Sequence, residues 1–317
     1  MIKIIILLAL SLSLWPLTAS AKSCLFLASY HKGYEWQDGI EAGMREVLDN
    51  KCTIEAFYLD TKRNMGEEYA VRTAQQARKL IDTMQPDVVI ASDDSAARYV
   101  IAPYYKGSSI PFVFCGINWS AEKYGFPASN VTGMLEIISI DQLLKVIRTV
   151  NPDASRGIFI AGDVPSTRSN YERYRKIFTA SDIAIEDGMV MSFAEWGNKL
   201  AKSQQEMDFI ILANKAGIPD WDDAKARESV LEHASVFTLG HHEFMVNLNM
   251  FSMTKIPREQ GEWAAKVAIE ILDGAKASDI PIIANRRWNI YANEVLLDKA
   301  GIRLPATIMR KAVKVRP

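Results

Sequence analysis

Polar and aromatic residues gather where apolar runs stop. Ser29-Tyr30-His31 follows the run ending at Ala28, and Asp60-Thr61-Lys62-Arg63 follows the run ending at Leu59. Ser92-Asp93-Asp94-Ser95 follows Ala91, and Gly116-Ile117-Asn118-Trp119 follows Cys115. A second set repeats the pattern with Gly162 to Arg168, Ala213 to Gly217 and Gly240-His241-His242. These residue types suit the binding of a polar ligand, and the Ser, His and Asp among them are those of any polar cleft. Hydroxyls and amides offer hydrogen bonds, carboxylates attract cations, and the rings of Tyr30, Tyr34, Trp36 and Trp119 can hold a flat or cationic group.

Each candidate also has a plainer reading. Asp93 or Asp94 can serve a ligand at a helix start or simply cap that helix. The aromatic residues, with Trp196 and Trp221 further on, can stack on a ligand or pack into a core. Arg168 can clamp a carboxylate in bidentate fashion or lie solvated at a helix start. His31 reads as a ligand contact or a half-buried, satisfied ring. His241 and His242 adjoin, but neighbouring side chains point apart and no acidic or Cys ligand repeats at helical spacing, so no metal site is expected. No G-x-S-x-G, P-loop, G-x-G-x-x-G or H-E-x-x-H pattern is present, so neither catalysis nor a cofactor is expected.

The elements that must position these groups alternate strand and helix, the pattern of parallel sheets covered on both faces. Strands are expected at Cys24 to Ala28, Thr53 to Leu59, Asp87 to Ala91 and Phe112 to Cys115. Helices follow from about Asp38 to Asn50, Glu67 to Met84 and Ser95 to Tyr105. After a loop-like stretch from Asn118 to Asn130 the alternation resumes with a strand at Val131 to Ile137 and a helix at Ile140 to Val150. Strands at Gly157 to Ala161, near Val190, at Phe209 to Leu212 and at Val236 to Leu239 then interleave with helices at Ser169 to Ala180, Trp196 to Gln205 and Asp222 to His233. The tail adds a helix from Gln260 to Asp273 ended by Gly274, a strand from Arg287 to Ala292 and a short helix ended by Gly301. In such sheets ligands bind beyond the carboxyl ends of the strands, so two polar edges facing each other make a cleft.

The N-terminal residues address the compartment. Lys3, the apolar run Ile4 to Leu14 and Ala19-Ser20-Ala21 together read as a signal peptide over 1–21, with the mature chain starting at Lys22. The apolar run is too short to span a bilayer. A soluble, exported, periplasmic product without stable membrane insertion is expected. The 37 basic against 38 acidic residues give no electrostatic case for nucleic acid. Among three cysteines, Cys24 and Cys52 open two strands that lie side by side in a doubly wound sheet, so they form either a disulfide or two buried thiols.

The segments SYHKGYEWQDGI, LDTKR, VVIASDDSA and FCGIN, with the tail WAAKVAIEILDGAKASDIPI and RRWNIYANEVLLDKAGIRLP, resemble the ABC-transporter substrate-binding family of periplasmic binding protein type I fold. That group includes tryptophan/tyrosine-binding lipoproteins. The first four segments look like a subgroup often fused as sensor domains to histidine kinases and diguanylate cyclases. The resemblance implies an α/β chain of two Rossmann-like lobes with parallel sheets, three hinge crossovers and a ligand trapped by lobe closure. It assigns 22–117 with 241–282 to one lobe and 118–240 with 283–317 to the other. Its binding positions fall on Tyr30, His31, Asp93, Asp94, Asn118, Ser166, Arg168 and Asn214; the residue reading adds Tyr34, Trp36, Trp119 and His241. Asp93-Asp94 stands where amino-acid-binding members have a small-residue loop suited to a carboxylate, which argues against an amino acid ligand. The expected role is capture of a small polar metabolite, aromatic or cationic in part, by a monomer serving an ABC permease. The alternatives are a ligand-sensing receptor for a membrane histidine kinase or diguanylate cyclase, and a secreted flavodoxin-like enzyme.

Overall fold

Leu25 to Ala28 are wholly buried, as a strand covered on both faces must be. In the computed structural model, which describes residues 22–315, they lie in β1 (Ser23–Ala28). The expected signal peptide falls outside the described residues. The chain continues through α1 (Glu35–Leu48), β2 (Thr53–Tyr58), α2 (Glu67–Met84), β3 (Val88–Ser92), α3 (Asp93–Ala96) with a π-helical continuation over Ala97–Tyr105, β4 (Phe112–Asn118) and β5 (Val131–Glu136). There follow α4 (Ile140–Val150), β6 (Arg156–Gly162), α5 (Pro165–Thr179), β7 (Ala184–Val190), α6 (Phe193–Glu206), β8 (Phe209–Leu212), α7 (Asp223–His233), β9 (Phe237–Gly240) and β10 (Phe251–Lys255). The last elements are α8 (Pro257–Leu272), β11 (Ile283–Ala284), β12 (Trp288–Asn293), α9 (Glu294–Ala300), α10 (Ala306–Met309) and β13 (Val313–Val315).

The strands form two sheets. The first has the order β11-β5-β4-β3-β1-β2 and is parallel throughout. The second runs β13-β12-β10-β9-β8-β6-β7 and is parallel except where β10 meets β12. In the first sheet the chain moves from β1 outward to β2 and then returns to β3 on the other side of β1. The second repeats this at β6, β7 and β8. The loops leaving β1 and β3, and those leaving β6 and β8, therefore diverge and open a crevice at each sheet's carboxyl edge.

The lobe boundaries differ from the expected ones. Val131–Glu136 pairs with β4 in the first sheet, so that sheet extends past residue 117. Phe251–Lys255 pairs with β9 and β12 in the second sheet, so the return to the first lobe comes after residue 255 rather than at 241. Ala284 still belongs to the first sheet. A buried apolar strand such as β5 looks the same whichever sheet it joins. The loop before it resembles a linker but folds back onto its own lobe, with Ala128 bridging Val131.

Helices α1 and α8 hold the first lobe's hinge side together by backbone contact. A Cβ on Gly43 would lie 2.4 Å from the Arg258 carbonyl oxygen, and one on Gly261 would lie 1.9 Å from that of Ile40. Only glycine permits that approach. Ile40, Met44 and Leu48 on α1 share a core with Ala264, Ala265 and Ala268 on α8. At the opposite end of the lobe Cys24 and Cys52 are joined by a disulfide, and Cys115 is buried and free.

Two glycine substitutions should act in opposite directions. Gly261→Ala should lower the unfolding free energy by about 1–3 kcal/mol by forcing α1 and α8 apart. Gly197→Ala, in α6 with open space around it, should raise it by about 0.5–1 kcal/mol. Denaturant unfolding of both variants measures this; equal effects would contradict the close packing.

Candidate ligand-binding site

The two crevices face each other and enclose a cavity. Tyr30, Tyr34, Trp36, Asp93 and Asn118 line it from the first lobe, and Ser166, Asn214 and His241 line it from the second. His31, Asp94, Trp119 and Arg168 do not line it.

Asp93 is the most constrained group. Its φ of +66° puts it in the left-handed region, where a non-glycine residue is costly unless its surroundings hold it. Gly116, at φ +75° on the bulged part of β4, makes the room: a Cβ there would sit 3.0 Å from Asp93 Oδ1. The Trp36 indole N–H donates to that Oδ1 at 3.0 Å. Asp93 is 2% exposed, and its Oδ2 has no hydrogen-bond partner. Burial and then the Asp94 charge push the Asp93 carboxyl up to about 8, against the Trp36 hydrogen bond and the ammonium groups of Lys62 and Lys255.

Asp94, one residue on, turns the other way. It accepts from the Asn118 side chain at 2.8 Å and the Tyr124 hydroxyl at 2.7 Å, with Lys123 Nζ at 2.9 Å. It braces the loop after β4 and does not line the cavity. His31 lies beside Asp60, Nδ1 to Oδ1 3.4 Å. Arg168 points to solvent, where Asp163 and Asp187 flank its guanidinium, so it clamps no carboxylate in the cavity. Trp119 reaches the second lobe: its indole N–H donates to Asn170 Oδ1 at 3.0 Å, and the Arg173 guanidinium lies 4.7 Å from its ring. Trp196 is buried in the second-lobe core, and Trp221 packs edge-on against it.

Several lining residues are absent from the sequence-based set. Lys255 ends β10 and Glu136 ends β5; the two form a buried ion pair where the chain crosses between lobes, and Lys255 Nζ lies 5.1 Å over the Trp36 ring. Burial pulls the Lys255 ammonium below the ordinary lysine range, and the nearby Asp93 carboxylate opposes this. Lys62 sits 4.9 Å from the Tyr30 ring centroid and 5.3 Å from that of Tyr34. Asn170, His242, Glu243 and Phe244 complete much of the second-lobe wall. His241 bonds the Tyr174 hydroxyl through Nδ1 at 3.0 Å, and burial keeps its ring neutral. Glu136 carries the signal used elsewhere, a polar residue at the end of an apolar strand, whereas Lys255 ends a strand that holds Ser252 and Thr254 and is not among those expected.

The raised Asp93 carboxyl fixes a pH dependence. The folded chain holds a proton that the unfolded chain releases near 3.8, so this contribution is complete at low pH and is lost as pH rises toward about 8. The unfolding free energy of the wild type, relative to Asp93→Asn, should therefore fall between about pH 5 and pH 8, by up to about 1.4 kcal/mol per pH unit. Urea unfolding across that range tests this; a difference that rises with pH would show Asp93 to be ionised and paired.

With the cleft described, comparison with known proteins places the chain. Among solved structures it is similar to a conserved domain protein from Vibrio cholerae, at 17% identity over 93% of this chain and 99% of that one, with a TM-score of 0.66. It is similar also to an ABC domain in complex with L-Trp from Streptococcus pneumonia, at 17% identity over 94% and 100%, TM-score 0.65. A ligand-free, open substrate-binding protein with adhesive properties from Clostridium difficile matches at 14% identity over 94% and 99%, TM-score 0.68. A comparison with curated proteins gives no match. The fold is that of the type I periplasmic binding proteins. The model of the ABC transporter substrate binding protein family matches residues 32–316, nearly the whole of the described chain, and the chain belongs to that family.

Proposed function

We propose that this chain captures a small organic cation in its interlobe cavity, in the periplasm, and delivers it to an ABC permease. Family membership carries the substrate-binding role and the transporter partner. The choice of ligand charge rests on Asp93, a buried carboxyl with one unpartnered oxygen among aromatic rings. A cation or N–H donor satisfies that oxygen and stabilises the ionised form, whereas an anion would raise an already unfavourable charge. The remaining lining charges agree. Glu35, Glu136 and Glu243 outnumber Lys62 and Lys255, and Lys255 is already paired with Glu136. The rings of Tyr30, Tyr34 and Trp36 present the faces on which cations rest.

Binding of this kind has a stability signature. A ligand at 100 times its dissociation constant adds about 2.7 kcal/mol to the folded state. A thermal-shift screen of the purified protein over polyamines, quaternary amines, aromatic amines, amino acids, nucleosides and short peptides should give its largest shifts with amines. Asp93→Asn should lose most of that shift while remaining folded. Shifts confined to anionic or uncharged compounds, or a full shift retained by Asp93→Asn, would refute the reading.

A further inference from the structure

We propose that Lys62 competes with the ligand for the cation site, its own ammonium resting on the two rings that a bound cation would use. The inference rests on the cationic reading of the cleft and adds to it a residue that weakens binding and thereby sets selectivity.

The placement carries the argument. Lys62 follows β2 on a loop whose backbone is pinned. Thr61 N donates to the Ser29 carbonyl at 3.0 Å, and Thr61 Oγ1 donates to the same oxygen at 2.8 Å. Asp60, at φ +53°, is gripped by Arg63 at 2.7 Å. From that fixed base the flexible lysine stem brings Nζ over the rings of Tyr30 and Tyr34, which meet edge to face with centroids 5.5 Å apart. Two ring faces around one ammonium are the elements of an aromatic cage.

Among the described residues Lys62 makes no ion pair within 4 Å, unlike Lys255, Lys123 and Lys215, which each meet a carboxylate. The carboxylate that favours its charge is Asp93, the same group that the ligand would engage. Rings hold it and no salt bridge does, so the ammonium can be displaced at small cost. A ligand cation that gains a direct bond to Asp93 can take its place, whereas a cation without that reach cannot. Binding is then reduced by the fraction of molecules in which Lys62 occupies the cage. Methionine keeps the length of the stem and removes the charge.

Isothermal titration calorimetry of the full chain with choline, putrescine and tyramine, on wild type, Lys62→Met and Lys62→Gln at one pH and salt concentration, tests this. The proposal expects at least one probe to bind Lys62→Met about tenfold more tightly than wild type, with Lys62→Gln tighter too. Thermal unfolding of each variant checks that it is folded. Binding to Lys62→Met alone also supports the proposal. A probe that binds wild type but binds both variants equally or more weakly overturns it and makes Lys62 a bystander or an anchor for an anionic group, leaving the cationic reading intact. If no probe binds any of the three folded proteins, the cationic reading itself falls, and this inference with it.

Discussion

A buried ammonium at the passage between the lobes organises this molecule. Lys255 closes β10 one residue before the chain leaves the second lobe, and Glu136 closes β5 where the chain leaves the first. Desolvating an ammonium costs several kcal/mol unless a partner of opposite charge is held against it. Glu136 supplies that partner only when both crossovers lie side by side. Other buried polar groups tighten the same junction. Asn285 accepts from Ile137 N at 2.7 Å, and Glu259 accepts from Arg286 N and Arg287 N at 2.9 and 3.1 Å. Gln260 accepts from Gly116 N at 3.0 Å and donates to the Leu135 carbonyl at 3.2 Å. The three connections behave as one joint because each one satisfies polar atoms of another.

That joint is also a wall of the cavity, which links hinge geometry to ligand chemistry. Lys255 lies over Trp36, Trp36 donates to Asp93, and Asp93 stands against Gly116, whose N–H is held by Gln260. A change in charge at Asp93 is thus felt two contacts away, at the crossovers. Trp119 adds a further link, since its backbone N–H donates to the Glu136 carbonyl while its indole donates to Asn170 on the far lobe. Asn170 lines the cavity, and its amide orientation is fixed by that bond.

The parts that sequence could show are those in which periodicity or burial acts alone. Glu67–Met84, Ile140–Val150 and Glu294–Ala300 lie where their apolar spacing places them. β10 is not among the expected strands although Phe251 to Thr254 alternates apolar and polar: the run is short, and its polar members Ser252 and Thr254 are buried, not solvent-facing as that alternation suggests. β11 has two residues and is defined only by its pairing with β5. Lobe assignment failed for a related reason. Which sheet a strand joins depends on register with distant partners, and neither β5 nor β10 carries a local mark of it.

The same division explains the site. Strand-end polarity found Tyr30, Asp93, Asn118, Ser166 and Asn214, because parallel sheets place such residues at one edge whatever the loops do. It could not separate Asp93 from Asp94, which are adjacent in sequence and alike in chemistry. The separation is made by backbone geometry. A left-handed residue at 93, made possible by the missing side chain at 116, turns one carboxyl into the cavity and leaves the next to Tyr124, Asn118 and Lys123. One aspartate is thereby left with a single partner, the Trp36 indole, and one bare oxygen, and the other is supplied with three partners. On the proposed cationic reading, the unsatisfied member of the pair, and not the pair itself, is the group through which a ligand's charge would be read.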